Sequence, residues 1–126
     1  MVAVEDANER IRRELPHLTV HQATDLAHTV NRLVDALQPE RIYVFGSQAR
    51  GDVHVDSDVD LLVVVSQVTE AAHRLDQAAY RAVGRHLLPL NILVMSREEF
   101  ERRARAPASL PSTVLREGRV LYAGTA

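Results

Sequence analysis

Apolar residues recur at three- and four-residue steps between Val20 and Leu37, where Ala23, Leu26, Ala27, Val30, Leu33, Val34 and Leu37 make one stripe. That spacing predicts an amphipathic helix, ended by Pro39. A shorter helix is expected over Val4 to Leu15, stopped at Pro16. The pattern then changes period. Ile42 to Phe45 reads as a short strand, and Gly46 to Ser57 as a polar connection with room for one helical turn. Asp58 to Val65 is apolar apart from two acids in its first half, which fits a central strand covered on both faces. A third helix is expected from Thr69 to about His86, with Ala72, Leu75, Ala79, Ala82 and Val83 facing inward. Leu88 to Met95 returns to a strand, and Ser96 caps another helix, with Glu99 three residues on and Phe100 next. A last helix runs from Ser109 past Pro111 to Glu117, with Gly118 as its stop, and Val120 to Tyr122 adds an edge strand. Helices and strands alternate, so the expected class is α/β (α+β), a mixed sheet flanked by helices.

The 126 residues suffice for one domain, read as 1–126 with its core at about 20–122. Fifteen basic and 17 acidic side chains give a net charge of −2, so no global basic field points to nucleic acid. Aromatic residues are only 4%, too few for a base-stacking platform, and no direct nucleic-acid binding is expected. The arginine-rich runs at 10–13 and 101–105 read as solvated helix faces. The absence of cysteine excludes disulfides and thiolate metal sites, and fits a reducing cytoplasm. The N-terminus shows no basic-then-apolar signal pattern, and the longest apolar run, Leu61 to Val65, falls far short of the roughly 20 residues a membrane span needs. A soluble, cytoplasmic domain without a membrane partner is expected.

Chemistry concentrates in one stretch, VFGSQARGDVHVDSDVDLLVVV, from Val44 to Val65. Side chains alternate along a strand, so Asp58 and Asp60 share a face, with Cα atoms about 6.6 Å apart. Two carboxylates on one face repel, and a divalent cation removes that conflict. Mg²⁺ (or Mn²⁺) suits such a pair, because it takes hard oxygen ligands, commonly one or two carboxylates plus phosphate oxygens of a substrate. Gly46 and Ser47 end one strand where Asp58 begins the next, so the two strands must be antiparallel for both to border one site. Gly46 lets the backbone approach a ligand closely, and Ser47 opens a turn whose N–H groups can hold phosphate oxygens. Arg50, one turn on, is either a phosphate contact or a structural ion-pair partner.

Gly46-Ser47, ten intervening residues and Asp58-x-Asp60 together resemble the GSx10DxD signature of the DNA polymerase β-like nucleotidyltransferases. The longer stretch FGSQARGDVHVDSDVDLLVVV is similar to the minimal nucleotidyltransferases, the MntA-type antitoxin partners of HEPN toxins. QPERIYVFGS before it, and LPLNILVMSREEFERR and VLREGRVLY after it, follow in the family's order. The resemblance implies the polymerase β-like fold and transfer of AMP from ATP to a protein hydroxyl, a tyrosine of a HEPN toxin. It further implies that Asp58 and Asp60 hold one or two Mg²⁺ ions, and that Gly46 and Ser47 grip the β and γ phosphates.

Family members place a third acid on a later strand, and the matching position here is Asn91. Asn91, Leu93 and Met95 share one face of that strand, and Leu90, Ile92 and Val94 the other. A neutral amide cannot take the acceptor's proton as a carboxylate does, and it is a poorer ligand for a second metal. Three readings stay open: activity with another base such as Asp56 or His54, nucleotide binding with slow transfer, or an antitoxin that neutralises by binding. Glu98 or Glu99 is a further substitute for the missing acid, though both lie on the next helix. A small-molecule acceptor is disfavoured, because a chain of this size has no second domain to enclose one. His17, His21 and His28 are spaced for one helix face, but Pro16 and the lack of a His-Glu-x-x-His pattern argue against zinc. Leu62 and Val64 continue the Asp58/Asp60 face, and Leu93 and Met95 the Asn91 face. Part of that apolar surface, or an outer helix stripe, is expected to be covered by a second chain, a homo-oligomer or the toxin partner.

Overall fold

The computed structural model describes residues 6–51, 58–66, 72–84 and 88–124. Its elements run α1 (Ala7–Glu14), α2 (Val20–Leu37), β1 (Arg41–Phe45), α3 (Ser47–Arg50) and β2 (Val59–Val65). After these come α4 (Ala72–Val83), β3 (Leu90–Ser96), α5 (Arg97–Ala104), α6 (Leu110–Glu117) and β4 (Arg119–Ala123). The strands form one mixed sheet in the order β3-β2-β1-β4. β1 is antiparallel to β2 and to β4, while β2 and β3 run parallel. A parallel pair needs a crossover, and α4 lies between β2 and β3 in the chain. The expected α/β class and the antiparallel β1–β2 pairing are both present.

Local chemistry sets the helix ends. Thr19 accepts from the Gln22 N–H while the Gln22 side chain accepts from the Thr19 N–H, a full capping box at the start of α2. Gln38, at φ 47°, turns the chain out of that helix. Ser96 caps α5 by accepting from the Glu99 N–H at 3.1 Å, and Ser109 caps α6 in the same way at 3.2 Å. Element bounds shift slightly from the pattern-based reading: β3 is Leu90–Ser96 rather than Leu88 to Met95, and β4 spans Arg119–Ala123. The described part of the third helix is Ala72–Val83; residues 67–71 and 85–87, where its expected ends fall, lie outside the described residues.

Helices cover both faces of the sheet. On one side Ile11 and Leu15 join the α2 stripe, Ala79 and Val83 against Ile42, Val44, Leu61, Val63, Ile92 and Val94. Ile11 and Leu15 are fully buried, so residues of α1 and its C-terminal end belong to the hydrophobic core. On the other side Tyr43, Leu62, Val64 and Met95 pack with Phe100 of α5 and Val114 of α6. Leu62, Val64 and Met95, part of the apolar surface on which a second chain was expected, are thus covered from within the chain. Two short helices of the same chain bury them, and of that set Leu93 alone stays exposed, at 40%.

β3 is an edge strand whose outward N–H groups are taken by α4. Tyr80 Oη accepts from the Ile92 N–H at 2.8 Å, and Asp76 Oδ1 accepts from the Val94 N–H at 2.9 Å. Satisfied this way, the edge offers fewer free donors to another strand.

Tyr43 stacks on Phe100 with ring centroids 5.6 Å apart. Burial pushes its phenol pKa above the usual value of 10.0, partly opposed by the Arg41 charge. The unfolded chain then loses this proton at lower pH than the folded one, so the stability involved is full below pH 10 and falls as pH rises beyond it. Tyr43→Phe is expected to flatten the fall in melting temperature between pH 9 and pH 11, checked by thermal denaturation across that range.

Candidate active site

The site is assembled at one end of the sheet, where β1 finishes and β2 and β3 begin. Phe45 pairs with Asp60 across the antiparallel β1–β2 ladder, and Asp60 pairs with Asn91 across the parallel β2–β3 ladder. The Val59 N–H donates to the Pro89 carbonyl at 2.8 Å, fixing the start of β2 to the approach of β3. Asp58 and Asp60 lie on the sheet face that carries Leu62 and Val64, a two-residue alternation. Further along, α5 and α6 cover this face; at its beginning Asp58 and Asn91 are exposed and Asp60 half-buried.

Gly46 follows Phe45 directly and has φ 75° and ψ −155°, a conformation open only to glycine. Its Cα passes so close to Asp60 that a Cβ added there would collide with Asp60 Oδ2. Gly46 thus leaves the Asp60 carboxylate the space a methyl group would fill. Its carbonyl accepts from the Arg50 N–H at 3.2 Å, so the turn passes directly into α3, with Ser47 at the helix's first position. Gly51, at φ 76°, ends that turn, and Arg50 is exposed beside it.

One amide joins the carboxylates. Asn91 Nδ2 donates to Asp60 Oδ1 at 2.9 Å and to Asp58 Oδ2 at 3.2 Å. The three side chains named from the pattern therefore converge. Their donor set fits a divalent cation: hard carboxylate oxygens from two positions reach a common point at an exposed end of the sheet. Glu98 and Glu99 do not take part. They follow β3 at its far end, about 16 Å along the strand from Asn91 at 3.3 Å per residue, and Glu99 pairs with Arg103 at 3.3 Å. Asp56 and His54 lie outside the described residues.

Sequence reasoning missed what holds α3 in place. Gln48, beside Ser47, is only 2% exposed, and its Oε1 accepts from His17 Nε2–H at 2.7 Å. His17 precedes α2 and is used in this bond, whereas His21 and His28 are exposed on the helix. Among the described residues no group of three or more His, Cys, Asp and Glu is placed to hold a metal ion. A cation at Asp58 and Asp60 can take further ligands from substrate and water.

Residues 26–121 match the nucleotidyltransferase domain family. The chain belongs to that family. The match opens within α2 and closes in β4, so it takes in β1, β2, β3 and the start of β4, with Gly46, Ser47, Arg50, Asp58, Asp60 and Asn91. The nucleotidyltransferase is 34% identical over 83 residues to the putative protein adenylyltransferase of Methanocaldococcus jannaschii, an alignment covering 66% of this chain and 78% of that protein. A putative nucleotidyltransferase from Sulfolobus solfataricus shares the fold at a TM-score of 0.58, with 20% identity, 98% of this chain and 92% of that one covered. A chain of a toxin–antitoxin crystal structure with AMP-PNP aligns at a TM-score of 0.51, with 23% identity over 78% of this chain and 73% of its own. No helix among the described residues is long and apolar enough to cross a membrane.

Proposed function

We propose that this nucleotidyltransferase transfers AMP from ATP to a protein hydroxyl, the tyrosine of a HEPN-type toxin, and so acts as that toxin's antitoxin. The observation that carries the reading is the convergence of Asp58 and Asp60 at an exposed sheet end, beside a glycine that leaves Asp60 room. An exposed site suits a side chain presented by another protein. The relative described as a protein adenylyltransferase, and the toxin–antitoxin neighbour with AMP-PNP, support the same choice of acceptor and donor.

In the proposed reaction the acceptor oxygen forms a bond to the α-phosphorus of ATP as the bond from that phosphorus to the β-bridging oxygen breaks. Pyrophosphate leaves with the electron pair, and the hydroxyl proton passes to solvent at this open end. Asp58 and Asp60 would hold Mg²⁺ or Mn²⁺, which supplies charge neutralisation of the triphosphate and a lowered acceptor pKa. Gly46 and Ser47 would present the turn to the β and γ phosphates, with Arg50 near enough along α3 to add a positive charge. Asn91 orients both aspartates but cannot accept a proton, so transfer is expected to be slow.

The same Asn91 favours a second reading, an antitoxin with weakened catalysis that neutralises its toxin by binding. The two are separated by the partner-labelling rate of wild type and Asn91→Asp at saturating Mg²⁺ and α-labelled ATP. General base catalysis is worth about 10²–10⁴-fold, so the variant should label at least ten times faster than a slow wild type. A brisk wild-type rate that Asn91→Asp leaves unchanged or lowers would contradict the role given to position 91. Labelling by the variant alone would favour the binding antitoxin.

A further inference from the structure

One –NH₂ group spends its N–H bonds on two carboxylates, at 2.9 and 3.2 Å. Hydrogen bonds to ionised acceptors are stronger than neutral ones, and here they also offset repulsion between two like charges on one strand face. A cation bridging Asp58 and Asp60 needs the point that Asn91 Nδ2 addresses. The amide hydrogens and the cation are then alternatives, because both are positive partners for the same oxygens. Asn91 sits on an exposed face of β3, in register with Asp60, so nothing in the packing of the core requires an amide there.

We propose that Asn91 is a positioning residue that stands in for the cation: its amide holds Asp58 and Asp60 converged in the metal-free protein and must withdraw when a divalent ion binds. The free protein keeps its site assembled, and cation affinity is lowered by the same free energy. This rests on the reading of Asp58 and Asp60 as cation ligands.

The test uses the full chain and Mn²⁺ alone, followed by electron paramagnetic resonance, together with melting temperatures in EDTA. Asn91→Ala and Asn91→Leu both remove the donor, the second keeping side-chain bulk. Each is expected to melt about 4 °C lower in EDTA. Because only the metal-free state loses the bond, each should bind Mn²⁺ about fivefold more tightly than wild type. A merely structural asparagine would lower the melting temperature without raising affinity. Unchanged melting in EDTA, or Mn²⁺ affinity equal to or below wild type in both variants, overturns the proposal. Wild-type Mn²⁺ binding that ignores changes at position 91 overturns it alone; no Mn²⁺ binding by wild type overturns the cation reading as well.

Discussion

Replacing Asp58 and Asp60 together by Asn is expected to abolish Mg²⁺-dependent ATP binding and to lower nucleotide transfer by about 10³-fold or more. Both carboxylates face one point on the exposed end of the sheet, and their charge is what a divalent ion and a triphosphate require. The variant should fold at least as well as wild type in EDTA. Two like charges are removed, and neither position belongs to the buried core. That combination, unimpaired stability with lost binding, separates a functional site from a structural one. Calorimetry with ATP and Mg²⁺ checks it, and unchanged ATP affinity in the double variant would remove the site proposed here.

Gly46→Ala is expected to have the next largest effect, and Gly51→Ala is its control. Both glycines have φ near 75°, but Gly51 (ψ 10°) is left-handed helical, where an alanine costs about 1–2 kcal/mol, whereas Gly46 (ψ −155°) lies in a region essentially closed to alanine and is strained at least as much. They differ in what the added methyl meets. At Gly51, among the described residues and beyond its chain neighbours, no heavy atom lies within 4 Å of the added methyl, whereas at Gly46 the methyl runs into Asp60 Oδ2. Both variants should therefore melt several degrees lower, but Gly46→Ala alone should push the carboxylate away from the site. A displacement of about 1 Å in a reacting constellation costs on the order of 10²-fold in rate. Transfer rates for the two variants decide it. Equal losses in both would show that strain, and not the space beside Asp60, is what matters at Gly46.

Much of this site is legible in the chain because it is local. Gly46 closes one strand and Asp58 precedes the next, so antiparallel pairing follows once both are taken to border one site, and the ladder sets Phe45 opposite Asp60. Asn91 is legible as a lone polar residue in an alternating strand, and its register with Asp60 follows once β3 lies beside β2. The bond from His17 to Gln48 spans 31 residues, and no periodicity links a histidine ahead of one helix to a glutamine in another. Tyr80 and Asp76 look like ordinary polar positions of an amphipathic helix. Their use as caps for an edge strand depends on how α4 lies against β3. What covers the apolar face of Leu62 and Val64 is hidden for a related reason. Alternation reveals that a face must be covered, but not whether α5 and α6 or another chain covers it.

Asn91 links the described geometry to the proposed chemistry. An acid there would serve as base and ligand but would leave three carboxylates facing one another without a cation. An amide gives up that chemistry and keeps the remaining two in place. The expected consequence is a slower transferase whose site is formed before its substrate arrives.

The most direct test is the intact mass of the proposed toxin partner after incubation with the wild-type chain, ATP and Mg²⁺, read beside the pyrophosphate released. Nucleotide transfer predicts a mass gain of one AMP on the toxin, located to a tyrosine by fragmentation, with one pyrophosphate formed per modified chain. A toxin of unchanged mass, or one that gains only a phosphate, would contradict the account.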